Sequence, residues 1–196
     1  ALCGLNVPEA KAIKFSKLGT TFLVKRFDRD GQQRIHFSSA MTMLGKKDGA
    51  NATDGSSYLE IVSFLKANGA KPRDDVQELW KRIVFSMAVS NTDDHFRNHG
   101  FILSNDGWEL SPLYDVNPDI YGEYLSLNVD EYDSGIDFDL AIESAPYYGL
   151  KKNQAKKEID MIKSVVRNNW RELAKKNGIS RGEIERMEPA FHICEE

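Results

Sequence analysis

Apolar residues at Val76, Leu79, Trp80, Ile83, Val84, Met87 and Ala88 fall at i, i+3, i+4, i+7, i+8, i+11 and i+12. That spacing predicts one wide apolar helix face over residues 73 to 89, a core helix. Ahead of it the period changes. AIKFS alternates, KLGT reads as a turn, and TFLVKRF is β-branched and aromatic, so residues 12 to 27 predict a hairpin closed off by Asp28 to Gly31. Ser38 and Ser39 can cap a short helix through Leu44 that stops at Gly45. After the polar loop GKKDGANATDGSS, Ser56 or Ser57 caps YLEIVSFLKA, which ends at Asn68-Gly69.

Downstream of the core helix, GFIL and WEL flank Ser104-Asn105-Asp106-Gly107, a hairpin signal. Pro112 and Pro118 mark extended or turning backbone, and residues 137 to 145 predict a short helix. A long helix follows, with Ile159, Ile162, Val166, Trp170 and Leu173 as its apolar stripe, and Ser180 caps a last short one. No repeat or low-complexity tract divides the chain.

Composition narrows the class. The 196 residues are 41% hydrophobic and 29% charged, an ordinary globular mixture. A folded chain of this mass exposes roughly 9,400 Å² against about 32,000 Å² unfolded, enough burial for one core without disulfides or metals. Apolar runs are far shorter than the ~20 residues of a membrane helix, and no secretory signal is visible at the N-terminus. Cys3 and Cys194 sit at opposite ends with no paired spacing, so a reducing cytoplasm is the expected setting. Lys and Arg number 26 against 30 Asp and Glu, and the net charge of −4 disfavours direct nucleic-acid binding.

The distribution of charge is more informative than its sum. From His99 to Leu150 there are eleven acids and no Lys or Arg, whereas Lys151 to Lys176 carry nine bases against three acids. Most such carboxylates are solvated loop residues, but a one-sided wall also suits a divalent metal or a basic partner segment.

The chemistry-bearing cluster is Asn91-Thr92-Asp93-Asp94-His95-Phe96-Arg97-Asn98, hung from the end of the core helix. An aspartate followed five residues later by an asparagine is the spacing of a kinase catalytic loop. There the aspartate orients the acceptor hydroxyl and the asparagine oxygen binds magnesium. Asp115, beyond the hairpin at 99–110, is placed to supply a second oxygen ligand. One Asp and one Asn suit Mg²⁺, which keeps water and phosphate oxygens in its shell. Asp94 reads as a solvated neighbour.

Thr92 to Asn98, the hairpin, and then Leu110 to Asp115 (LSPLYD) together resemble the signature of HipA-like serine/threonine kinases. VKRFDR (Val24 to Arg29) is similar to that family's hinge between kinase lobes, and YYGLKKNQAKKEI and WRELAKKNGIS resemble its helical end. The resemblance implies Asp93 as catalytic base and Asn98 and Asp115 as magnesium ligands. It implies Lys25, Arg26 and Phe27 as the hinge that meets adenine, and His95 and Tyr114 as lining of the ATP pocket. It further implies a toxin–antitoxin setting, with a small DNA-binding antitoxin as partner and a translation-related protein as substrate.

The expected fold is therefore α+β and mainly α-helical. It is the C-lobe of a kinase-like fold (31–196), with a β-hairpin remnant of the N-lobe (1–30) and a catalytic-loop hairpin, read as a single domain over 1–196. No Gly-rich phosphate loop or ATP-anchoring lysine is recognisable, so the chain is expected to be the C-terminal portion of a longer kinase. Losing two or three charge-assisted hydrogen bonds to ATP costs several kcal/mol, on the order that would leave these residues silent alone. Two rival readings stand beside the kinase. One is a metal-dependent hydrolase using His95, His99, Asp93 and Asp115. The other is a non-catalytic partner-binding module.

Overall fold

A computed structural model describes residues 1–16 and 19–195. Strands β1 (Ala10–Ser16) and β2 (Gly19–Val24) pair antiparallel, with Ala10 opposite Val24 and Ile13 opposite Thr21. The predicted hairpin is thus present but ends at Val24 rather than at residue 27. Its turn falls partly on Lys17 and Leu18, outside the described residues. Nearly every residue of the ribbon is exposed, including Phe15 at 70% and Phe22 at 69%. The accessible surface is 11390 Å². That exceeds the scaling expectation of roughly 9,400 Å², as a ribbon solvated on both faces requires.

Short strands β3 (Arg29–Asp30) and β4 (Gln33–Arg34) form a second, minimal ribbon. Strand β5 (Phe37–Ser39) then leads straight into α1 (Ala40–Met43). Ser39 ends the strand and caps the helix, its side chain accepting from the Thr42 amide. Helix α2 (Tyr58–Asn68) begins with a reciprocal capping box between Ser57 and Glu60.

Helix α3 (Pro72–Ala88) is the centre of the molecule. Val76, Leu79, Trp80, Ile83, Val84, Met87 and Ala88 are all buried, as the periodicity predicts. Arg82 and Ser86, off that face, are buried too, because α3 is covered on several sides. Trp80 Nε1 donates to the Ala141 carbonyl at 3.0 Å, so the largest core side chain keeps its polar atom satisfied.

Strands β6 (Gly100–Ser104) and β7 (Gly107–Leu110) form the predicted hairpin, and β5 joins it as a third strand. Ser38 pairs with Phe101, and Phe101 with Leu110. Residues 111–137 have no regular structure, yet Leu125, Leu127 and Val129 are buried. The aspartates here supply turns. Asp119, Asp130, Asp133 and Asp137 each accept the backbone amide two residues on, at 2.8 to 2.9 Å.

Helix α4 (Phe138–Ser144), the long α5 (Lys152–Lys176) and α6 (Arg181–Met187) complete the fold. Ile159, Ile162, Val166 and Trp170 of α5 are buried, but Leu173, expected in the same stripe, is 47% exposed. It borders an apolar groove of about 810 Å³ between α5, the end of α6 and the N-terminal segment. Cys3 and Cys194 are both buried and unpaired by disulfide, so the two chain ends enter one core. No helix among the described residues is long and apolar enough to cross a membrane.

Candidate active site

The polar loop begins where α3 runs out. Ser90 takes a left-handed conformation, φ 48°, and turns the chain out of the helix. Asn91 ties this turn back to α3, its amide donating to the Ser86 carbonyl at 2.8 Å. Asn91 Oδ1 accepts from the Asn117 amide at 3.1 Å, and Thr92 Oγ1 donates to Asp119 at 2.9 Å. The loop is therefore held on one side by α3 and on the other by the segment after β7.

Asp93 and Asp94 then point opposite ways. The Asp93 side chain is 80% exposed, with His95 Nε2 at 3.7 Å from Oδ1. Asp94 is buried. Its Oδ2 accepts from Tyr58 Oη at 2.9 Å and from Ser86 Oγ at 3.2 Å. His99 Nε2 lies 3.0 Å from Asp94 Oδ1, within ion-pair distance although its N–H is not aimed along the contact. Burial pushes the Asp94 carboxyl up, but the field of His99 and the bonds from Tyr58 and Ser86 outweigh it and hold it below its ordinary value. Asp94 is thus an internal anchor, not the solvated neighbour that its place in a polar run suggests.

Asn98 is buried at the far end of the loop. Its Nδ2 donates to the Asp93 carbonyl at 2.9 Å and reaches the Asp115 carbonyl at 3.5 Å. One side chain thereby brings together the three residues selected from sequence spacing. With Nδ2 so engaged, Oδ1 has no protein donor among the described residues. Asp115 also adopts a left-handed φ of 57°, and its Oδ1 accepts from Asn117 Nδ2 at 3.0 Å. Asp115 is exposed, and its second oxygen has no protein donor among the described residues. Two hard oxygen atoms from Asn98 and Asp115 match what Mg²⁺ takes from protein when phosphates supply the rest.

Tyr114 Oη donates to the Arg97 carbonyl at 2.7 Å, and burial first of all pushes its phenol up to about 12, so it stays a donor. Its ring centroid lies 5.9 Å from that of Phe27, which also meets Phe37 at 5.7 Å. Phe27 and the irregular segment before Asp115 therefore share one aromatic cluster. Lys25 and Arg26 direct their side chains elsewhere. The Lys25 ammonium lies 3.9 Å from Glu9, and Arg26 makes a two-pronged contact to Asp28 at 2.8 and 2.6 Å. His95 turns toward Arg97, its Nε2 at 2.9 Å from Nη2.

His99 is buried against Asp94 and Tyr58 instead of joining His95, and among the described residues no three His, Cys, Asp or Glu converge on a metal position. The ligand set of the hydrolase reading is not assembled. Arg82 was outside the sequence argument. Its buried guanidinium donates Nε to Glu78 at 3.0 Å, lies in the field of Asp94 and Asp75, and has Nη2 unpartnered among the described residues. Its one sequence signal is Glu78 four residues earlier.

This architecture is that of a kinase C-lobe. It superposes on HipA of Shewanella oneidensis MR-1, solved with HipB and operator DNA, with a TM-score of 0.81, 20% identity, and coverage of 99% of this chain and 52% of that one. The Helicobacter pylori proinflammatory kinase CtkA matches with a TM-score of 0.61 and 13% identity over 98% of this chain and 76% of that one. Residues 1–170 match the HipA-like C-terminal domain, and the chain belongs to that family. The serine/threonine-protein kinase toxin HipA of Shewanella oneidensis is 30% identical over 150 residues, 65% of this chain and 34% of that protein. The matches to relatives from Haemophilus influenzae and Sinorhizobium fredii cover 36% and 29% of those proteins, so this chain spans about a third of its curated relatives.

Proposed function

We propose that this chain is the catalytic-loop-bearing part of a HipA-type serine/threonine protein kinase. Asn98 carries the reading, because its amide links the Asp93 and Asp115 backbones and leaves its oxygen available. In the reaction, the acceptor hydroxyl oxygen bonds to the γ-phosphorus of ATP while the bond to the β,γ-bridging oxygen breaks and ADP departs. Asp93 orients the hydroxyl and takes its proton, which its exposed carboxylate can pass on to water. Asn98 Oδ1 and Asp115 would hold Mg²⁺, which supplies charge neutralisation for the phosphates. Phe27 and Tyr114 form the apolar side of the nucleotide site, with Lys25 and Arg26 on the hinge beside them. His95, whose ring is turned toward Arg97, is the phosphate-side residue of this reading by family resemblance.

The wider setting follows the relatives. HipA of Shewanella oneidensis was solved with HipB and its operator DNA, which supports a small DNA-binding antitoxin as partner here; a protein substrate and a cytoplasmic location belong to the same proposal. The phosphate loop and ATP lysine would come from elsewhere in the longer protein, so residues 1–196 alone are expected to transfer no phosphate. The test is phosphate transfer from radiolabelled ATP by the full-length protein. Asp93→Ala should lower it by about 10²–10⁴-fold, and Asn98→Ala and Asp115→Ala should each raise the Mg²⁺ concentration required. Full cellular effect retained by Asp93→Ala would favour the non-catalytic binding module instead.

A further inference from the structure

Helix α3 carries a guanidinium into the core. Arg82 is 1% exposed, and a buried charge persists only where opposite charges or hydrogen bonds meet it. Burial pulls it below its ordinary value, and Glu78, then Asp94 and Asp75, oppose that pull. An arginine stays charged at neutral pH under such a shift.

Each of those carboxylates grips a different part of the site. Glu78 Oε1 accepts from Arg82 Nε and from the Asn6 amide, both at 3.0 Å. The Asn6 carbonyl in turn accepts the Leu113 amide at 2.8 Å. Asp75 Oδ2 accepts the Leu110 amide at 3.0 Å. Asp75 directly, and Glu78 through Asn6, therefore hold the two ends of residues 110–113, which lead into Tyr114 and Asp115. Asp94 holds the loop from which Asp93 projects, through Tyr58 and Ser86. Three carboxylates gathered around one point repel one another unless a cation lies among them.

We infer, resting on the kinase reading above, that Arg82 is a positioning residue for phosphate transfer: from inside the core it ties the loop of Asp93 to the segment of Asp115. Buried as it is, it acts through the carboxylates and not on the reactants. Its charge matters more than its fork geometry, because Nε makes the bond to Glu78 while Nη2 has no partner among the described residues.

The full-length protein carries the test, as Arg82→Met and Arg82→Lys. Two quantities are read. One is the rate of transfer from radiolabelled ATP at saturating ATP and Mg²⁺, per molecule folded by circular dichroism. The other is backbone hydrogen exchange in peptides covering 93–98 and 110–113, without nucleotide or metal. Arg82→Met should lower the rate by about ten-fold or more and speed exchange in both segments together. Arg82→Lys should recover most of the rate. Loosening of one segment alone, an undiminished rate per folded Arg82→Met molecule, or a lysine variant no better than the methionine one would each overturn the inference and leave the kinase reading standing. Should Arg82→Met fail to fold, Glu78→Gln decides. It alters only the partly exposed partner, and it should lower the rate and speed exchange at 110–113; a wild-type rate there overturns the inference. A wild-type protein that transfers no phosphate overturns both.

Discussion

Asp93 and Asp94 are adjacent in the chain, yet the first side chain is 80% exposed and the second 2%. The inner carboxylate is bonded to Tyr58 at the start of α2 and to Ser86 near the end of α3, so it fixes the loop from which the outer one projects. Removing each should therefore have separate consequences. Asp94→Ala leaves the Tyr58 and Ser86 hydroxyls without their acceptor and His99 without its carboxylate, at a cost of about 3 kcal/mol. Asp93→Ala, at a solvated position, should change stability by less than about 0.5 kcal/mol. Urea unfolding of the two variants measures both values.

The same buried carboxylate sets an acid limit. Its folded pKa lies below the ordinary value, so its contribution is complete above the ordinary carboxylate range. That contribution is lost as pH falls from there toward the folded value. Wild-type stability should decline over that window, and Asp94→Asn should flatten the decline. A pH series of thermal melts distinguishes the two slopes.

Asp28 organises the segment after β2 by accepting from Arg26 and from Arg29 at 2.6 Å. The Arg26 hydrogen bond, ahead of the other contributions, lowers its carboxyl to about 2. In an NMR titration Asp28 should titrate near that value, and Arg26→Ala should move it up toward the normal aspartate range. The Arg26–Asp28 interaction is then present at neutral pH and disappears only as pH falls through about 2.

Gly122 lies against the loop that carries Asp93. A Cβ there would fall 2.0 Å from Thr92 Cγ2, and Thr92 is itself fixed by its bond to Asp119. Gly122→Ala should cost about 1–3 kcal/mol through overpacking and, under the proposed kinase function, should lower phosphate transfer by the full-length protein. Adding Thr92→Ser removes the closest clashing methyl and should restore part of both.

Burial pushes both thiols up, that of Cys194 to about 11. Cys194 Sγ also donates to the Ala88 carbonyl at 3.3 Å. Neither should react with iodoacetamide at pH 8 in the folded chain, and both should react after denaturation, as counted by mass spectrometry.

Several features could be read directly because their causes are local. The stripe of α3 repeats within each pair of turns, and all seven of its named positions are buried. Ser39, Ser57 and Ser180 cap the helices next to them through bonds spanning two or three residues. The β6–β7 hairpin follows from a four-residue turn flanked by apolar runs. Strand β5 is not legible locally because its pairing partner is 61 or more residues away, Ser38 with Phe101 and Ser39 with Gly100, and its serines carry a cap signal that is also correct. Leu173 fits the stripe of α5 but lies where its neighbours leave an open groove.

The order of polar residues along the chain, Asp93, Asn98 and then Asp115 behind a hairpin, was legible by itself, since spacing and turn chemistry are properties of neighbours. Which of two adjacent aspartates faces solvent, and whether Asn98 reaches the Asp115 backbone, were settled by tertiary structure. Those outcomes depend on donors from α2 and α3 and on the return of the segment after β7. Only the closed fold brings such groups within 3.5 Å of the loop.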